Sequence, residues 1–181
     1  MKITVLTQPE PLVDTEEAKL ALGFVGTTDR DDQIDGLILA AQAELDGPTG
    51  WVGISVAEQQ VELRLDRFCD TMRLPYGPIT GVGGITYIDD DGAEQNLDGS
   101  VYDVLTDTIV LVDGESWPET LGQAESVRIT YDVGISDEGD PRVALMKTMI
   151  IANVKLMHDM VDVEVRLKVI RALAAPLRVW G

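Results

Sequence analysis

Apolar side chains recur along this chain with two different periods. Near the amino end they follow helical spacing. Asp14 or Thr15 can cap a first helix, with Glu17 placed as capping-box partner to Asp14. Ala18, Leu20, Ala21 and Leu22 continue it, and Gly23 stops it. Asp31 or Asp32 can cap a second helix, whose apolar positions Ile34, Leu37, Ile38, Ala41 and Leu45 form one stripe. The run Gly47-Pro48-Thr49-Gly50 ends it.

From about residue 51 the period becomes two. Val61, Leu63 and Leu65 alternate with Glu62 and Arg64, as a half-buried strand requires. Met72-Arg73-Leu74 is cut short by Pro75 and Pro78. Ile85–Ile88 runs into the turn Asp89-Asp90-Asp91-Gly92. Val101–Leu105, Ile109–Val112 and Val127–Tyr131 are further short strands, which together predict a small antiparallel sheet of sandwich or partial-barrel type.

Helical spacing returns at Pro141, a residue suited to a first helical turn. Val143, Met146, Ile150, Val154 and Met157 form one apolar row, and Leu145, Met149, Ala152 and Leu156 form a second. Two rows exceed what one buried face requires. The second row either packs inside the domain or meets another subunit. A shorter helix over about Val163–Ala174 follows, ended by Pro176. The fold class predicted is α+β: a bundle of amino- and carboxyl-terminal helices with an antiparallel sheet module inserted at about 51–135. The chain is read as a single domain over 1–181, with helices in 1–50 and in 141–181.

Charge sharpens this division. The 181 residues carry 14 Lys plus Arg against 32 Asp plus Glu, a net of −18. Residues 141–181 nevertheless hold seven basic and three acidic side chains, a net of +4, leaving −22 for residues 1–140. The acidic whole argues against a nucleic-acid-gripping protein, because tight phosphate binding needs a cationic face. The asymmetry suggests either that the two parts face different surroundings or that a basic helical end is balanced within the chain by the acidic remainder. One cysteine, Cys69, excludes an intramolecular disulfide framework, and one histidine, His158, excludes a His–His metal pair within the chain. Val143–Val161 is interrupted by Lys147, Asn153 and Lys155, too polar for a span. Met1–Thr15 lacks the apolar core of a secretory signal, so none is expected.

No catalytic constellation emerges. Counted from Asp89, position twelve of a calcium loop is Ser100 rather than Glu, so Asp89–Gly92 reads as a hairpin turn. Asp137-Glu138-Gly139-Asp140 reads as a loop with Asp140 capping the helix at Pro141. His158 has no relay partner, since adjacent helical residues such as Asp159 diverge. Cys69 reads as a half-buried small hydrophobe. Gly81-Val82-Gly83-Gly84 precedes a strand, whereas a dinucleotide loop opens a helix. Trp51 and Trp117 lie near sheet boundaries, where core packing is expected. Trp180 stands in a basic-apolar tail, where an aromatic is suited to anchor on a partner.

The order of several segments then takes on meaning. A Pro-rich, strand-like start precedes the two helices. Leu74-Pro75-Tyr76-Gly77-Pro78-Ile79, Ile85-Thr86-Tyr87-Ile88-Asp89-Asp90-Asp91-Gly92 and Leu97 with Tyr102-Asp103-Val104 come next. Ser116-Trp117-Pro118 and Val127-Arg128-Ile129-Thr130-Tyr131-Asp132-Val133-Gly134 complete the set. Over nearly the whole chain this resembles the head-to-tail connector (adaptor, head-completion) proteins of tailed bacteriophages and gene transfer agents. Relatives often carry an aromatic after the late proline, where this chain has Leu177.

The resemblance implies a structural virion protein with no cofactor and no catalysis. It implies a dodecameric ring beneath the portal protein, which extends the DNA channel and docks the next tail or stopper protein. Passing double-stranded DNA would be met without sequence-specific contact, and no membrane is involved. The implied location is the head-tail neck of a particle, with bacterial cytoplasm during assembly. Related connectors use carboxyl-terminal elements against the portal. The residues expected there are Arg171, Ala175, Pro176, Leu177, Arg178, Val179 and Trp180. Leu145, Met149, Ala152 and Leu156 are expected at a subunit interface. The alternatives are a small β-sandwich binding module and, further off, a metal-dependent hydrolase using the aspartate clusters.

Overall fold

The computed structural model describes residues 1–176 and contains two compact units. One is built from Met1–Pro9 and Glu58–Gly134, the other from Glu10–Ala57 and the described residues that follow Gly134.

The first unit is all β. A five-stranded antiparallel sheet has the order β1-β2-β8-β4-β5, with β1 at Lys2–Thr7, β2 at Gln59–Leu65, β4 at Ile79–Ile88, β5 at Glu94–Asn96 and β8 at Val127–Val133. A three-stranded sheet has the order β3-β7-β6, with β3 at Thr71–Arg73, β6 at Tyr102–Leu105 and β7 at Thr108–Leu111. The alternation read in the sequence is the alternation of burial: Val61 and Leu63 of β2 and Val127, Ile129, Tyr131 and Val133 of β8 point into one core. Met72, Leu74 and Ile109 close that core from the smaller sheet, so the unit is a sandwich. Tyr131 in β8 donates its hydroxyl to the Pro75 carbonyl at 3.1 Å, and burial pushes its ionisation well above the ordinary tyrosine range.

The sheet module differs from expectation at its edges. Its first strand is β1, which pairs with β2 from Lys2↔Arg64 onward. Strand β4 begins at Ile79 and so contains Gly81, Gly83 and Gly84, at two interruptions of its register with β8. These glycines relax the strand at bulges, which explains the glycine run without any ligand loop.

The second unit is helical: α1 at Thr15–Leu22, α2 at Asp31–Ala43, α3 at Pro141–His158 and α4 at Val163–Ala174. Asp14 and Glu17 form the predicted capping box, and Gly23 closes α1 with φ of 81°. Asp140 caps α3 through the Arg142 N–H, with Pro141 in the first turn. The cap of α2 is a correction: Arg30 occupies it without a side-chain bond, and Asp31 and Asp32 lie in the first turn, facing the positive end of the helix dipole. Ile34, Ile38, Ala41 and Leu45 of α2, Val143, Met146, Met149, Ile150 and Val154 of α3, and Ile170 and Ala174 of α4 share one core.

The segment after α2, including Trp51, belongs to this helical unit rather than to the sheet. Asp46 accounts for that. Its carboxylate, only 5% exposed, accepts the Val56 N–H at 2.6 Å and the Ala57 N–H at 3.0 Å. Backbone bonds Trp51→Glu44, Val52→Leu45 and Gly47→Ile54 reinforce the turn. Gly50 lies so close that an added Cβ would fall on the backbone of Leu45 and Asp46. Gly50→Ala is therefore expected to destabilise the unit by about 1–3 kcal/mol, since backbone cannot rotate out of the way as a side chain can. Thermal unfolding of the variant checks this.

Candidate functional site

The residues expected to meet partners cluster at the carboxyl end, so the position of α4 matters. Arg166, Ile170 and Ala174 form its inward stripe. An arginine in that stripe needs compensation, and it has it. Arg166 is 8% exposed and donates to both oxygens of Glu44, with one bond at 3.0 Å, and to Asn153 Oδ1 at 2.8 Å. Asn153, fully buried, donates in turn to Glu44 Oε2 at 3.1 Å and to the Ala41 carbonyl at 3.4 Å. One network thus joins the end of α2, the middle of α3 and the start of α4. Burial would raise the Glu44 carboxyl, but the hydrogen bonds of Arg166 and Asn153 outweigh it and hold Glu44 below its ordinary range.

Beyond the network, Arg171 is exposed on α4 with its guanidinium 5.8 Å from the Trp51 ring centre. Ala175 and Pro176 are exposed. Leu177, Arg178, Val179 and Trp180 lie outside the described residues.

The second apolar row of α3 packs within its own unit. α3 meets α1, α2 and α4, so more than one of its faces is covered. Met149 is wholly buried, which corrects the expectation that it offers surface to a neighbour. Leu145, Ala152 and Leu156 pack against the same core and remain partly exposed.

Other candidates settle into structural roles. Asp89 accepts from Ala93 N–H and Gln95 Nε2, both at 2.8 Å, and these bonds, Gln95 first, hold its carboxyl below the usual range in the β4–β5 turn. Asp137 accepts the Gly139 N–H in the loop before α3. Cys69 is exposed rather than half-buried, lying in the loop between β2 and β3. His158 does reach Asp159, with Nδ1 to Oδ1 at 3.1 Å, because Asp159 is the C-cap with ψ of 4° and no longer helical. The Phe24 ring sits edge-on to His158 at 5.3 Å. Trp117 stacks on Phe68 at 4.9 Å beside the sheet core.

An open cleft of about 420 Å³ in the sheet unit is lined by Thr7, Glu58, Gln59, Gln60, Thr80, Asp132 and Val133. Asp132 there accepts from Gln60 at 2.9 Å. Among the described residues no group of three or more His, Cys, Asp or Glu side chains could hold a metal ion. No helix among them is long and apolar enough to cross a membrane.

Sequence reasoning missed the three buried charged side chains among the described residues: Asp46, Arg166 and Lys19. Lys19 is 2% exposed and is held by Glu16 at 2.7 Å and Asp31 at 3.0 Å; those partners, Glu16 first, raise its pKa. A signal existed for Arg166, which stands four and eight residues before Ile170 and Ala174 and so on one helical face with them.

No family profile matches the chain, and no curated protein matches it. Solved structures do. A chain from the neck of an empty gene transfer agent (GTA) particle computed with C6 symmetry matches with a TM-score of 0.77 at 16% identity, covering 100% of this chain and 97% of that one. A chain from the virion of a native GTA particle matches at 0.67 and 15%, and one from the neck of a native GTA particle computed with C12 symmetry at 0.62 and 12%. Both matches cover 100% of this chain and 97% of theirs. The chain therefore has the fold of these GTA neck and virion chains.

Proposed function

We propose that this protein is a structural head-to-tail connector of a tailed phage or phage-like particle. It forms a ring under the portal protein, extends the DNA channel and docks the next tail or stopper protein. The observation that carries this reading is end-to-end agreement with a GTA neck chain, at a TM-score of 0.77 over 100% of this chain and 97% of the other. The necks were computed with six- and twelvefold symmetry, which supports a ring. On this reading the protein works without a cofactor or catalysis, in the neck of the particle, after assembly in bacterial cytoplasm.

Portal contact is assigned to Arg171 on α4 and to residues 175–180 after it in the chain, α4 being held by the Glu44–Asn153–Arg166 network. The segment from 141 onward is net +4 in a protein of net −18. Leu177, Val179 and Trp180 suit a groove on a partner, and Arg178 supplies a bidentate donor for a carboxylate there. Leu145, Ala152 and Leu156 keep partial exposure for a neighbouring subunit. Twelve copies would bring a formal charge on the order of −200, which would keep passing DNA from adhering to the channel wall.

The test is a chain ending at Ala174. It should fold, as judged by circular dichroism and cooperative melting, yet fail to join portal-bearing heads in a sedimentation assay. Trp180→Ala in the full chain should weaken attachment by about 2 kcal/mol. Normal joining by the truncated protein would rule out the portal assignment, and failure of the full chain to join any portal-bearing head would sink the connector reading.

A further inference from the structure

Two helices of the helical unit carry apolar stripes that nothing among the described residues covers. On α4, opposite the inward Arg166–Ile170–Ala174 stripe, Val165 and Val169 are 53% and 41% exposed and Ala172 is exposed beside them. Their spacing of four and three residues makes one face. Lys168 adjoins that face, exposed and in no salt bridge among the described residues. On α2, opposite the buried Ile34–Ile38–Ala41 stripe, Asp32, Gly36, Leu39 and Ala43 form the outer row, and Leu39 is 52% exposed. Gly36 sits in the middle of that helix with nothing within 4 Å of where a Cβ would stand. A mid-helix glycine costs about 0.5–1 kcal/mol relative to alanine, and nothing inside the unit requires it. A helix approaching from outside would.

Charge says which surface fits which. Residues 14–43, spanning α1 and α2, carry seven carboxylates and two cations, whereas residues 141–174, spanning α3 and α4, carry six Lys or Arg and three carboxylates. Arg166, Lys147 and Arg142 are already paired within the chain, with Glu44, Glu17 and Asp140, so the exposed groups beside each stripe decide the match: Asp32 and Asp35 on α2, and Lys168, one turn after Glu164, on α4. Two copies of the same face would repel or leave charge unmatched. Unlike faces match in both polarity and sign.

We infer that the outer face of α4 in one copy docks on the outer face of α2 in the next copy, with Val165 and Val169 against Leu39 and the Gly36 gap, and Lys168 toward the Asp32 carboxylate. Such a contact is heterologous. It leaves one unused face at each end and so propagates until rotation closes a ring. The inference rests on the connector reading for its biological setting, but the contact concerns this chain alone.

Site-directed cross-linking tests it. In a Cys69→Ser background, cysteine is placed at Val165 or Val169 on α4 and at Leu39 or Ala43 on α2, singly and in pairs. Double-cysteine chains should oxidise to a ladder of dimers, trimers and larger species, and mixtures of an α4 single with an α2 single should give dimers. Either single alone should give at least about tenfold less dimer. Lys168→Glu or Asp32→Lys in a double-cysteine chain should reduce the ladder by about tenfold, and mixing the two reversed chains should restore it. Dimers from the singles as readily as from mixtures would mean a like-to-like contact and overturn the inference, as would no ladder from any pair in the free protein or in assembled necks. If the ladder forms while the full chain joins no portal-bearing head, the connector reading fails and the contact stands. If the chain joins heads but only the singles cross-link, the reverse holds.

Discussion

Asp46→Ala is expected to lower the stability of the helical unit by about 4 kcal/mol, because it strands two buried N–H donors at about 1–3 kcal/mol each. Val56 and Ala57 each give their N–H to a separate oxygen of Asp46. Asparagine cannot replace it. Its amide has one oxygen, so one backbone N–H would face an NH2 group. Asp46→Asn should therefore cost roughly half as much as Asp46→Ala. The carboxyl is pushed above its ordinary range by burial, a shift that the bonds from Val56, Ala57 and Gly47 reduce without cancelling. A raised carboxyl pKa favours folding below its unfolded value and loses that contribution as pH climbs through the folded one. The gap between wild type and either variant should therefore be widest in acid and narrow as pH rises out of the ordinary aspartate range. Urea unfolding at several pH values measures it, and a gap that widened with pH would show the carboxylate to be stabilising rather than strained by burial.

What the sequence disclosed was mainly local. The Asp14–Glu17 box, the Gly23 stop and the Asp140–Pro141 start depend on residues three or fewer apart, and the structure has all of them. The strands β2 and β8 announced themselves because one face is buried and the other wet, so burial alternates along each. Strand β5 gave no such sign: Glu94, Gln95 and Asn96 are exposed, and only pairing with β4 makes them a strand. β1 owes its place to β2, more than fifty residues later, which no local pattern specifies. The same distance effect hid the polar interior. Arg166 entered the sequence reading only as one of the seven cations of the carboxyl end, and its partners Asn153 and Glu44 lie 13 and 122 residues away. Met149 counted as surplus apolar surface because the number of helices around α3 is a tertiary fact. The outer stripes of α2 and α4 were likewise invisible until burial separated the inner residues of each helix from the outer ones.

Arg166→Ala should destabilise the helical unit by about 3 kcal/mol and loosen α4 before it unfolds the rest. Removing the guanidinium leaves Asn153 Oδ1 buried without a donor, at about 1–3 kcal/mol, and removes the aliphatic stem that fills the space between α3 and α4. Glu44 suffers less, because its side chain is 38% exposed and water can replace the lost partner. Glu44→Gln should cost about 1–2 kcal/mol, less than Arg166→Ala: the amide keeps one acceptor but turns its NH2 toward the other donor and removes the counter-charge of Arg166, while water reaches the half-exposed Glu44 position. The Glu44 carboxyl is held below its ordinary range, so its contribution is present above that range and lost as pH falls through the folded value. Acid should thus erode the network in the wild type and close the gap to Glu44→Gln, which has no carboxyl to titrate there. Hydrogen exchange locates the effect: amides of α4 should lose protection in Arg166→Ala at conditions where α2 and α3 keep theirs. Uniform loss across all helices would mean that the network supports the whole core rather than the seat of α4. On the connector reading, the local loss has a second readout, since a loosened α4 presents residues 175–180 less firmly. Attachment to portal-bearing heads should then fall in Arg166→Ala even at temperatures where the unit remains folded, while Glu44→Gln attaches nearly as wild type does.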